Sequence, residues 1–503
     1  MFVRSKTNPS GSISVQVIDK SGKKMKLLKT IGNTKDLEQV AVLEKQAQLW
    51  IKNKQGLQEL DFNNERGETL RGLHNISQIR PAGASLILGK IFDEIGFNKI
   101  DSILFRQLVI ARICFPASKL KTTVYLSKYQ YFDVDVHAVY RYLDKLYTIE
   151  KQRVQQISYD HTRKILTDQI SVVFYDVTTL YFESDNEDEL RQRGFSKDGK
   201  HQNPQIVLGL LVSIDGYPLA YDIFEGKKFE GHTMLPVING FKHKYHLEKL
   251  VVIADSGLLS RTNVEELIAE KYEFILGGRI KNEPDSIKEK ILNLKLGNGE
   301  SEIIEKGNGI RLIISYSDSR ATKDRFNRER GLAKLEKKVA TGNLTKSSIN
   351  NRGYNKFLKL KGSMSVSIDE EKIIYDAKWD GLKGYITNTD LSKADIIANY
   401  KHLWKIEKAF RISKHDLKVR PIYHRLARRI ESHICIAFTA YKVYKELERQ
   451  LKEKKASYSP ESVIDIAKTI YAVEAKTPST NEYVQTILLL SEQQREIAAM
   501  FEL

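Results

Sequence analysis

The alternation of apolar and polar residues at the start of the chain predicts a β-hairpin. Residues 12–31 alternate on either side of Gly22, and two alternating runs around a glycine turn are typical of paired strands. From residue 35 the apolar positions recur every three to four residues, which is the spacing of an amphipathic helix. This periodicity predicts helices at 35–54, 84–96, 103–114, 118–127, 136–147 and 149–167.

The pattern changes near residue 170, where short apolar runs rich in β-branched residues replace the helical periodicity. Asp215-Gly216 separates two of these runs and is a strong hairpin signal. Helical stretches at 232–242 and 261–270 separate the later runs, and this succession of elements predicts a mixed α/β sheet. The predicted strands are 170–176, 205–214, 217–224, 249–255 and 272–277.

Residues 281–384 interrupt this alternation with strand-like pieces around a charged helical stretch. That stretch, 318–340, carries eight basic residues against four acidic ones. A strand at 384–388 leads back to helical periodicity with Ser392 as its expected N-cap, and helices are expected from there to the end. The strand-like pieces are 302–306, 310–316 and 364–377.

Lysine and arginine outnumber the acidic residues, 81 against 64, which gives the 503-residue chain a net charge of +17. This excess favours a polyanionic partner, with nucleic acid first and an acidic membrane surface second, although a protein with a lysine-rich surface has the same composition. No segment approaches the roughly 20 uninterrupted apolar residues that span a bilayer, and the first residues lack the apolar core of a signal peptide. Cys114 and Cys435 are too few for a disulfide framework. We therefore expect a protein that acts inside the cell without a membrane partner.

Two aspartates close apolar runs and are candidate metal ligands. Asp176 ends the run Ser171-Val-Val-Phe-Tyr-Asp, and Asp255 ends the run Leu250-Val-Val-Ile-Ala-Asp. A strand-end aspartate places a carboxylate at the sheet edge where α/β sites gather, and hard cations prefer oxygen ligands. Ordinary turn chemistry explains either residue alone equally well. The pair is more informative, because both aspartates follow strands predicted for one sheet.

Glu407 lies in a basic, aromatic-rich helix. At about 100° per residue, this glutamate shares a stripe about 60° wide with one phenol and two cations, at the edge of the apolar face. The ordinary alternative is a surface helix with a Glu407–Arg411 pair, which contributes only about 0.2–0.5 kcal/mol. The members of the stripe are Tyr400, Glu407, Arg411 and Lys414.

This helix resembles the Tyr-Arg-Glu-Lys signature of one branch of DDE transposases, which are bacterial insertion-sequence enzymes with an RNase H-like catalytic core. The runs Phe-Tyr-Asp176-Val-Thr-Thr and Val-Ile-Ala-Asp255-Ser-Gly are similar to those that carry the first and second aspartates of that family. The long interval between the second aspartate and the glutamate fits a branch with a β-rich insertion there. The positions that correspond to the signature are Tyr400, Leu403, Glu407 and Lys414.

One position departs from the signature, because the expected arginine is Leu403 in this chain. Either Lys405, Lys408 or Arg411 makes the contact of that arginine, or no residue replaces it. The sequence leaves this choice open.

The resemblance implies a DNA transposase that cleaves the ends of an insertion sequence and transfers the freed strands to target DNA. It also implies two Mg²⁺ ions per active site, for which Mn²⁺ is an alternative. The implied catalytic residues and metal ligands are Asp176, Asp255 and Glu407.

The same resemblance implies the partners. Tyr400, Arg411 and Lys414 would contact double-stranded DNA, both at the terminal inverted repeats of the element and at the target. The protein would act as a homodimer on DNA, in the cytoplasm and associated with the nucleoid.

The implied fold class is α/β, with an RNase H-like mixed sheet and flanking helices, a β-rich insertion and a mainly helical N-terminal region. The expected organisation is a hairpin at 1–34, a helical DNA-binding and assembly region at 35–170, the first part of the catalytic domain at 171–280, the insertion at 281–384, the second part with the Glu407 helix at 385–450, and C-terminal helices at 451–503.

A catalytically inactive regulator that binds DNA on an RNase H-like scaffold is the main alternative. The intact acidic trio argues against it, since a repurposed protein need not keep three hard ligands. A structure-specific nuclease of the same fold is a third hypothesis, although nicking alone requires a smaller assembly. The sequence does not reveal the terminal repeat, the target, or whether excision passes through a DNA hairpin.

Overall fold

The chain divides into two units. One comprises Met1–Ile79 with Val473–Thr486, and the other comprises Arg80–Ala472 with Ile487–Leu503. The structure, a computed structural model, describes residues 1–22, 24–55, 70, 72–166, 170–196, 199–341, 344, 346–350, 353–361, 365–477, 480 and 482–503.

The smaller unit begins with three antiparallel strands, so the hairpin predicted at 1–34 is present with one strand added. β1 (Phe2–Thr7) pairs with β2 (Ile13–Asp19), which pairs in turn with β3 (Lys26–Thr34). α1 (Leu37–Lys54) packs its apolar side chains against this sheet. β1 was not predicted because its residues are almost all exposed, so the strand lacks the alternation of a half-buried one.

Five helices follow the short strand β4 (Ile76–Pro81), at the positions that the periodicity predicts. Side chains begin three of them: Ser102, Ser118 and Asp135 each accept a hydrogen bond from the backbone N–H three residues later. The helices are α2 (Gly83–Ile95), α3 (Ile103–Cys114), α4 (Lys119–Gln130), α5 (Val136–Lys145) and α6 (Lys151–Ile165).

Eight strands of the larger unit form one mixed sheet. The strands of this region are β5 (Val172–Tyr181), β6 (Gln205–Ser213), β7 (Pro218–Glu225), β8 (Val251–Ala254), β9 (Glu273–Gly278), β10 (Ser301–Gly307), β11 (Ile310–Tyr316), β12 (Leu358–Lys361), β13 (Ser365–Ile368) and β14 (Leu382–Thr387). The order across the sheet is β10-β11-β14-β9-β8-β5-β6-β7, and β12 pairs with β13 in a separate hairpin.

The direction of the strands confirms the expected fold class. β5, β6 and β7 are antiparallel neighbours, whereas β8 runs parallel to β5 and β9 runs parallel to β8. This five-stranded arrangement is that of an RNase H-like sheet. The strands β10, β11 and β14 extend it beyond β9 by antiparallel pairing.

Two apolar layers cover the faces of the sheet. Val173, Tyr175 and Val177 of β5 face one layer and Phe174 faces the other, as alternation along a strand requires. The first layer includes α7 (Met234–Tyr245) and α8 (Arg261–Ala269). The second layer includes side chains of α2 and α3.

The region expected as a β-rich insertion contains helices as well as strands. It includes α9 (Asp285–Leu292) and α10 (Asp318–Ala340). The prediction of a strand over 364–377 is wrong beyond β13, because α11 (Glu370–Ala377) follows it. Asp369 begins this helix by accepting a hydrogen bond from the Lys372 N–H, a cap that the apolar pattern alone does not reveal.

Helices after β14 complete the second layer. α12 (Lys393–Lys401) begins at Ser392, whose side chain accepts from the Asp395 N–H, as predicted. α13 (Trp404–Arg411) follows, and the long α14 (Ala427–Glu453) is buried over much of its length.

The C-terminal part contains strands, so the expectation of helices throughout 451–503 is wrong there. β15 (Tyr471–Lys476) and β16 (Tyr483–Leu488) lie between α15 (Pro460–Ala467) and α16 (Glu492–Phe501). β15 pairs with both β16 and β4. The periodicity did not reveal these strands because the pairing partner β4 is distant in the sequence. No helix in the described part of the chain is long and apolar enough to cross a membrane.

A buried ion pair attaches α10 to the turn before β14, and its removal should be costly. Arg328 donates from both terminal nitrogens to Asp380, at 2.5 and 2.7 Å, and the two side chains are only 10% and 14% exposed. In the Asp380→Asn variant a buried guanidinium lacks its anion, so we expect the free energy of unfolding to fall by about 2–4 kcal/mol, as measured by chemical denaturation.

Glu265→Gln is the matched control. It breaks the Arg261–Glu265 pair, whose side chains are 91% and 59% exposed, and should change the free energy of unfolding by less than about 0.5 kcal/mol. Equal losses in the two variants would contradict a stabilising role for the buried pair.

Candidate functional site

β5 and β8 bring Asp176 and Asp255 to neighbouring positions. The two strands run parallel, with Tyr175 paired to Ala254. Each aspartate is the next residue along its chain, and the backbone of Asp255 is still extended, with φ −73° and ψ 161°. Since neighbouring strands are about 4.8 Å apart, the two aspartates lie side by side.

Both aspartates face the layer that contains α13. Tyr175 and Ala254 belong to the opposite layer, and successive residues of a strand point to opposite faces. The layer opposite to them contains Ile406 and Phe410, which lie on either side of Glu407 in the sequence. The two aspartates therefore lie on the face of the sheet against which the Glu407 helix packs.

Asp176 lies within β5 and not at its end, contrary to the prediction. The strand continues over Val177–Tyr181, which pairs with Gln205–Gly209 of β6. Every residue of β6 is buried, so this partner extends β5 beyond the apolar run that the sequence shows. Asp255 directly follows β8, as predicted.

A hydrogen bond joins Tyr400 of α12 to Asp255. The phenol oxygen Oη donates to Oδ1 of Asp255 at 3.0 Å, and the tyrosine is buried. Burial raises the pKa of the Tyr400 phenol, and the negative charge of Asp255 raises it further. The phenol therefore stays protonated and can donate to the carboxylate at neutral pH.

Gly277 of β9 makes room for this hydrogen bond. A Cβ atom at Gly277 would lie 2.5 Å from the Tyr400 oxygen and 2.8 Å from the backbone nitrogen of Ser256. Any side chain at this position would displace the phenol or the loop that follows Asp255.

The helix predicted to carry both Tyr400 and Glu407 is interrupted. α12 ends at Lys401 and α13 begins at Trp404, and between them the Leu403 N–H donates to the carbonyl three residues earlier. The prediction of one continuous helix from Tyr400 to Lys414 is therefore wrong. Apolar periodicity reports which face is buried, but it does not report a local change from four-residue to three-residue hydrogen bonding.

The charges of both Asp255 and Glu407 act on Lys383 of β14. This lysine was not identified from the sequence. Its Nζ lies 4.3 Å from the centre of the Tyr400 ring. Burial and then Arg320 lower the pKa of Lys383, while the charges of Asp255 and Glu407 act in the opposite direction. Both carboxylates therefore lie in the electrostatic environment of one lysine. The surrounding sequence, Gly-Leu-Lys-Gly-Tyr, contains no motif that would have revealed this role.

Arg411 and Lys414 occupy different surroundings. Arg411 is exposed at the end of α13. Lys414 follows in the wider turn Ile412–Asp416, and lines a small cavity beside β5 with Thr178 and Phe410.

Two of the three candidates to replace the signature arginine already bind protein groups. Lys405 donates to the backbone oxygen of Ile214 at 2.6 Å, and Lys408 pairs with Glu448. Leu403 itself is buried in the core. These contacts leave Arg411 as the exposed candidate.

A polar cavity of about 610 Å³ opens at Asp255 and Tyr400 and extends toward α10. Several of its cations are already paired, since Arg328 binds Asp380 and both Lys281 and Lys356 bind Asp376. Arg279 donates to backbone oxygens instead. The basic residues of the wall are Arg279, Lys281, Arg320, Arg328, Lys356 and Lys383.

The donor chemistry of the carboxylate trio fits a hard divalent cation, because Mg²⁺ prefers carboxylate oxygens. Asp255 and Glu407 are exposed, so a cation could reach them. Among the described residues, however, no group of three or more aspartate, glutamate, histidine or cysteine side chains is arranged to hold a metal ion. The assignment of Asp176, Asp255 and Glu407 as metal ligands stays a prediction.

Comparison with known proteins gives one family match. Residues 167–442, more than half of the chain, match the family model described as "Transposase DDE domain". No curated protein matches the chain. Eight chains of solved structures match, among them the piggyBac transposase in its synaptic complex with hairpin DNA, with 10% sequence identity, a TM-score of 0.39, and coverage of 78% of this chain and 77% of that chain.

Gly277→Ala should separate Tyr400 from Asp255. The added methyl group meets backbone as well as the phenol, so we expect the free energy of unfolding to fall by about 1–3 kcal/mol, measured by chemical denaturation. The control is Gly257→Ala in the loop that follows Asp255, where an added Cβ has no atom within 4 Å among the described residues. A change in Gly277→Ala no larger than that of the control would show that the close approach is not required.

Proposed function

We propose that this chain, which belongs to the family of transposases with a DDE domain, cleaves DNA at the ends of a bacterial insertion sequence and joins the freed ends to target DNA. The observation that carries this proposal is the placement of Asp176 and Asp255 on neighbouring strands, on the sheet face covered by the Glu407 helix. All three residues lie inside the family match. The Tyr-x-x-Leu-x-x-x-Glu spacing supports the signature branch with an insertion after the second aspartate.

Asp176, Asp255 and Glu407 would hold two Mg²⁺ ions, with Mn²⁺ as an alternative. Bound metal supplies the acidity that activates water and the charge that stabilises the leaving oxygen. The chain's own groups prepare this site. Tyr400 holds one oxygen of Asp255 by its hydrogen bond and leaves the second oxygen for another partner.

The cationic side chains around the trio would hold the DNA strand. Lys383 lies beside the carboxylates, and Arg411 is exposed at the end of the Glu407 helix. Together with Tyr400 and Lys414, these groups would contact phosphates near the scissile bond, because charge-assisted hydrogen bonds to phosphate fix the position of a strand.

Double-stranded DNA is the proposed partner, as terminal inverted repeats and as target. The net charge of +17 supports a polyanionic ligand. α10 presents exposed basic residues such as Arg325, Arg330 and Lys334 beside the cavity that opens at Asp255. We further propose that a homodimer binds the two ends, in the cytoplasm and in association with the nucleoid.

The second candidate function is a catalytically inactive regulator that binds DNA through the same fold. Among the described residues, no three side chains are arranged to hold a metal ion, and an inactive regulator would not need such a group. The two functions differ in one measurement, which is Mg²⁺-dependent nicking of a supercoiled plasmid.

Asp176→Asn, Asp255→Asn and Glu407→Gln should each abolish nicking. Removing one ligand forfeits several kcal/mol of transition-state stabilisation, so we expect the rate to fall at least about 100-fold while DNA binding is kept. The measurement is plasmid nicking with Mg²⁺, alongside a gel-shift assay of binding.

Glu265→Gln is again the control, since it removes one exposed carboxylate from α8, the helix that follows Asp255 in the sequence. It should nick at the wild-type rate. Nicking that survives in all three trio variants would refute the catalytic assignment. A wild-type protein that binds DNA without nicking it would support the regulator instead.

Binding to non-specific DNA should depend steeply on salt, and α10 should supply part of this dependence. The triple substitution of Arg325, Arg330 and Lys334 by glutamine should reduce the slope of log K against log salt by about 2–3, since each phosphate contact contributes about 0.9. The measurement is fluorescence anisotropy of a labelled duplex over a salt series.

The control removes three exposed lysines elsewhere, Lys249, Lys271 and Lys290, in the same way. An equal reduction in both triple variants would mean that net charge, and not contact by α10, determines the slope.

A further inference from the structure

Four basic side chains lie around the segment that follows the Glu407 helix. Arg112 of α3 donates to the backbone oxygen of Leu417 at 3.5 Å, and His433 of α14 contacts the backbone oxygen of Val419 through Nε2 at 3.0 Å. The rings of His424 and His433 lie 5.5 Å apart. Lys119, the first residue of α4, is counted as the fourth member because its charge lowers the pKa of both histidines. We call these four residues the basic cluster.

Three members of the basic cluster are buried, and the described residues include no anion paired with any of the four. Arg112, Lys119 and His433 are only 5%, 5% and 6% exposed. Neither Arg112 nor Lys119 forms an ion pair within the described ranges, and the Lys119 side chain has no hydrogen bond to any described residue. The Nδ1 atom of His433 is buried without a partner among the described residues.

Asp144 is the carboxylate that Arg429 binds, and the charge of Arg429 acts on His424. Both Arg428 and Arg429 bind it, at 2.8 and 2.9 Å. It therefore does not neutralise the basic cluster.

Another buried lysine shows how this chain satisfies a cation that has only a structural role. Lys442 of α14 is fully buried, and it donates to the Ser158 backbone oxygen and to the Thr162 hydroxyl. Its ammonium also lies 4.1 Å from the centre of the Tyr217 ring. The residues that the structure describes offer Lys119 no such hydrogen bond or ring contact, although burying an unpaired charge is costly.

The members of the basic cluster also affect one another. Burial first and then the charge of Arg112 lower the pKa of Lys119. Burial, Lys119 and Arg112, in that order, lower the pKa of His424 to about 3. The same three causes lower the pKa of His433. An anion among these groups would relieve their mutual repulsion and restore the charge of the lysine.

Residues next to His424 in the sequence are exposed at the surface. His424 is half-buried, and its neighbours Tyr423 and Arg425 are exposed, as is Lys418. A guanidinium, an ammonium and two imidazoles offer several donors in different directions. A tetrahedral phosphate with multiple acceptor oxygens matches this set better than a planar carboxylate does.

We propose that Arg112, Lys119, His424 and His433 form a phosphate-binding site that receives a backbone phosphate of bound DNA. The choice of DNA as the source rests on the proposed transposase function. Free inorganic phosphate has the same chemistry and is the alternative source. The site is separate from the carboxylate trio and would anchor the strand beyond the end of β5, where Ile422 is bridged to Phe182.

Thermal unfolding of the full-length protein with inorganic phosphate tests the site. Phosphate should raise the apparent Tm of the wild type by at least about 2 °C over sodium chloride of equal ionic strength, because a ligand that binds the folded state stabilises it. Lys119→Met should remove this response. Lys121→Met should keep it, since Lys121 is exposed two residues later on the same helix.

Without phosphate, Lys119→Met should unfold at the wild-type temperature or higher, since an apolar side chain of similar length replaces an unpaired buried charge. A wild type without a phosphate response overturns the proposal, and this outcome does not depend on whether any variant folds. A response of equal size in Lys119→Met overturns it as well.

The source is tested by DNA binding. If the ligand is a DNA phosphate, Lys119→Met should reduce the slope of log K against log salt by about 1, and more than Lys121→Met does. An unchanged slope with an intact phosphate response assigns the site to free phosphate and overturns the DNA source.

The Asp176→Asn variant distinguishes a failure of the phosphate-binding proposal from a failure of the proposed transposase function. It should keep the phosphate response whether or not the wild-type protein nicks DNA. Loss of the response in Asp176→Asn would overturn the separation of the two sites.

Discussion

The candidate site depends on the parallel register between β5 and β8. A shift of one residue would turn Asp176 or Asp255 toward the opposite face of the sheet, away from α13. Burial on both faces maintains the register, since Val173, Phe174, Val252 and Ile253 are fully buried. The apolar runs that identify the strands thus also fix the positions of the carboxylates that follow them.

Tyr400 connects the helical layer to the sheet through its hydrogen bond to Asp255. Its ring is in the core, and its hydroxyl group is on Asp255. A buried phenol needs a hydrogen-bond partner, so the position of α12 and the position of the carboxylate constrain each other. Gly277 is part of the same constraint, because the phenol oxygen occupies the space that a side chain on β9 would need.

The sequence predicts the elements that have a strong period and fails where structure is set by distant partners or by local hydrogen bonding. The helices α1–α6 and the strands β5–β9 lie where the patterns place them, although β5 continues beyond Asp176. β15 was missed because it pairs with β4, and the interruption at Leu403 was missed because periodicity does not specify which carbonyl an N–H reaches.

In the candidate site, too, residues within short motifs were predictable, and residues placed only by the fold were not. Asp176, Asp255 and Glu407 were proposed from short motifs, and the structure packs the Glu407 helix on the face of the two aspartates, without a group of three side chains arranged to hold a metal ion among the described residues. Lys383 was not identified, because a single lysine in a strand has no signature until the fold places it beside Tyr400. Charge explains why such a residue belongs there: two like charges about 4 Å apart repel by about 4 kcal/mol at an effective dielectric constant of about 20. Under the proposed function, a phosphodiester that approaches Asp255 and Glu407 would meet repulsion of this order from each, and the net charge of a whole chain is too diffuse and too screened to offset it. Metal ions held by the carboxylates would offset most of this repulsion, and Lys383, on which the charges of both carboxylates act, adds positive charge at the same place.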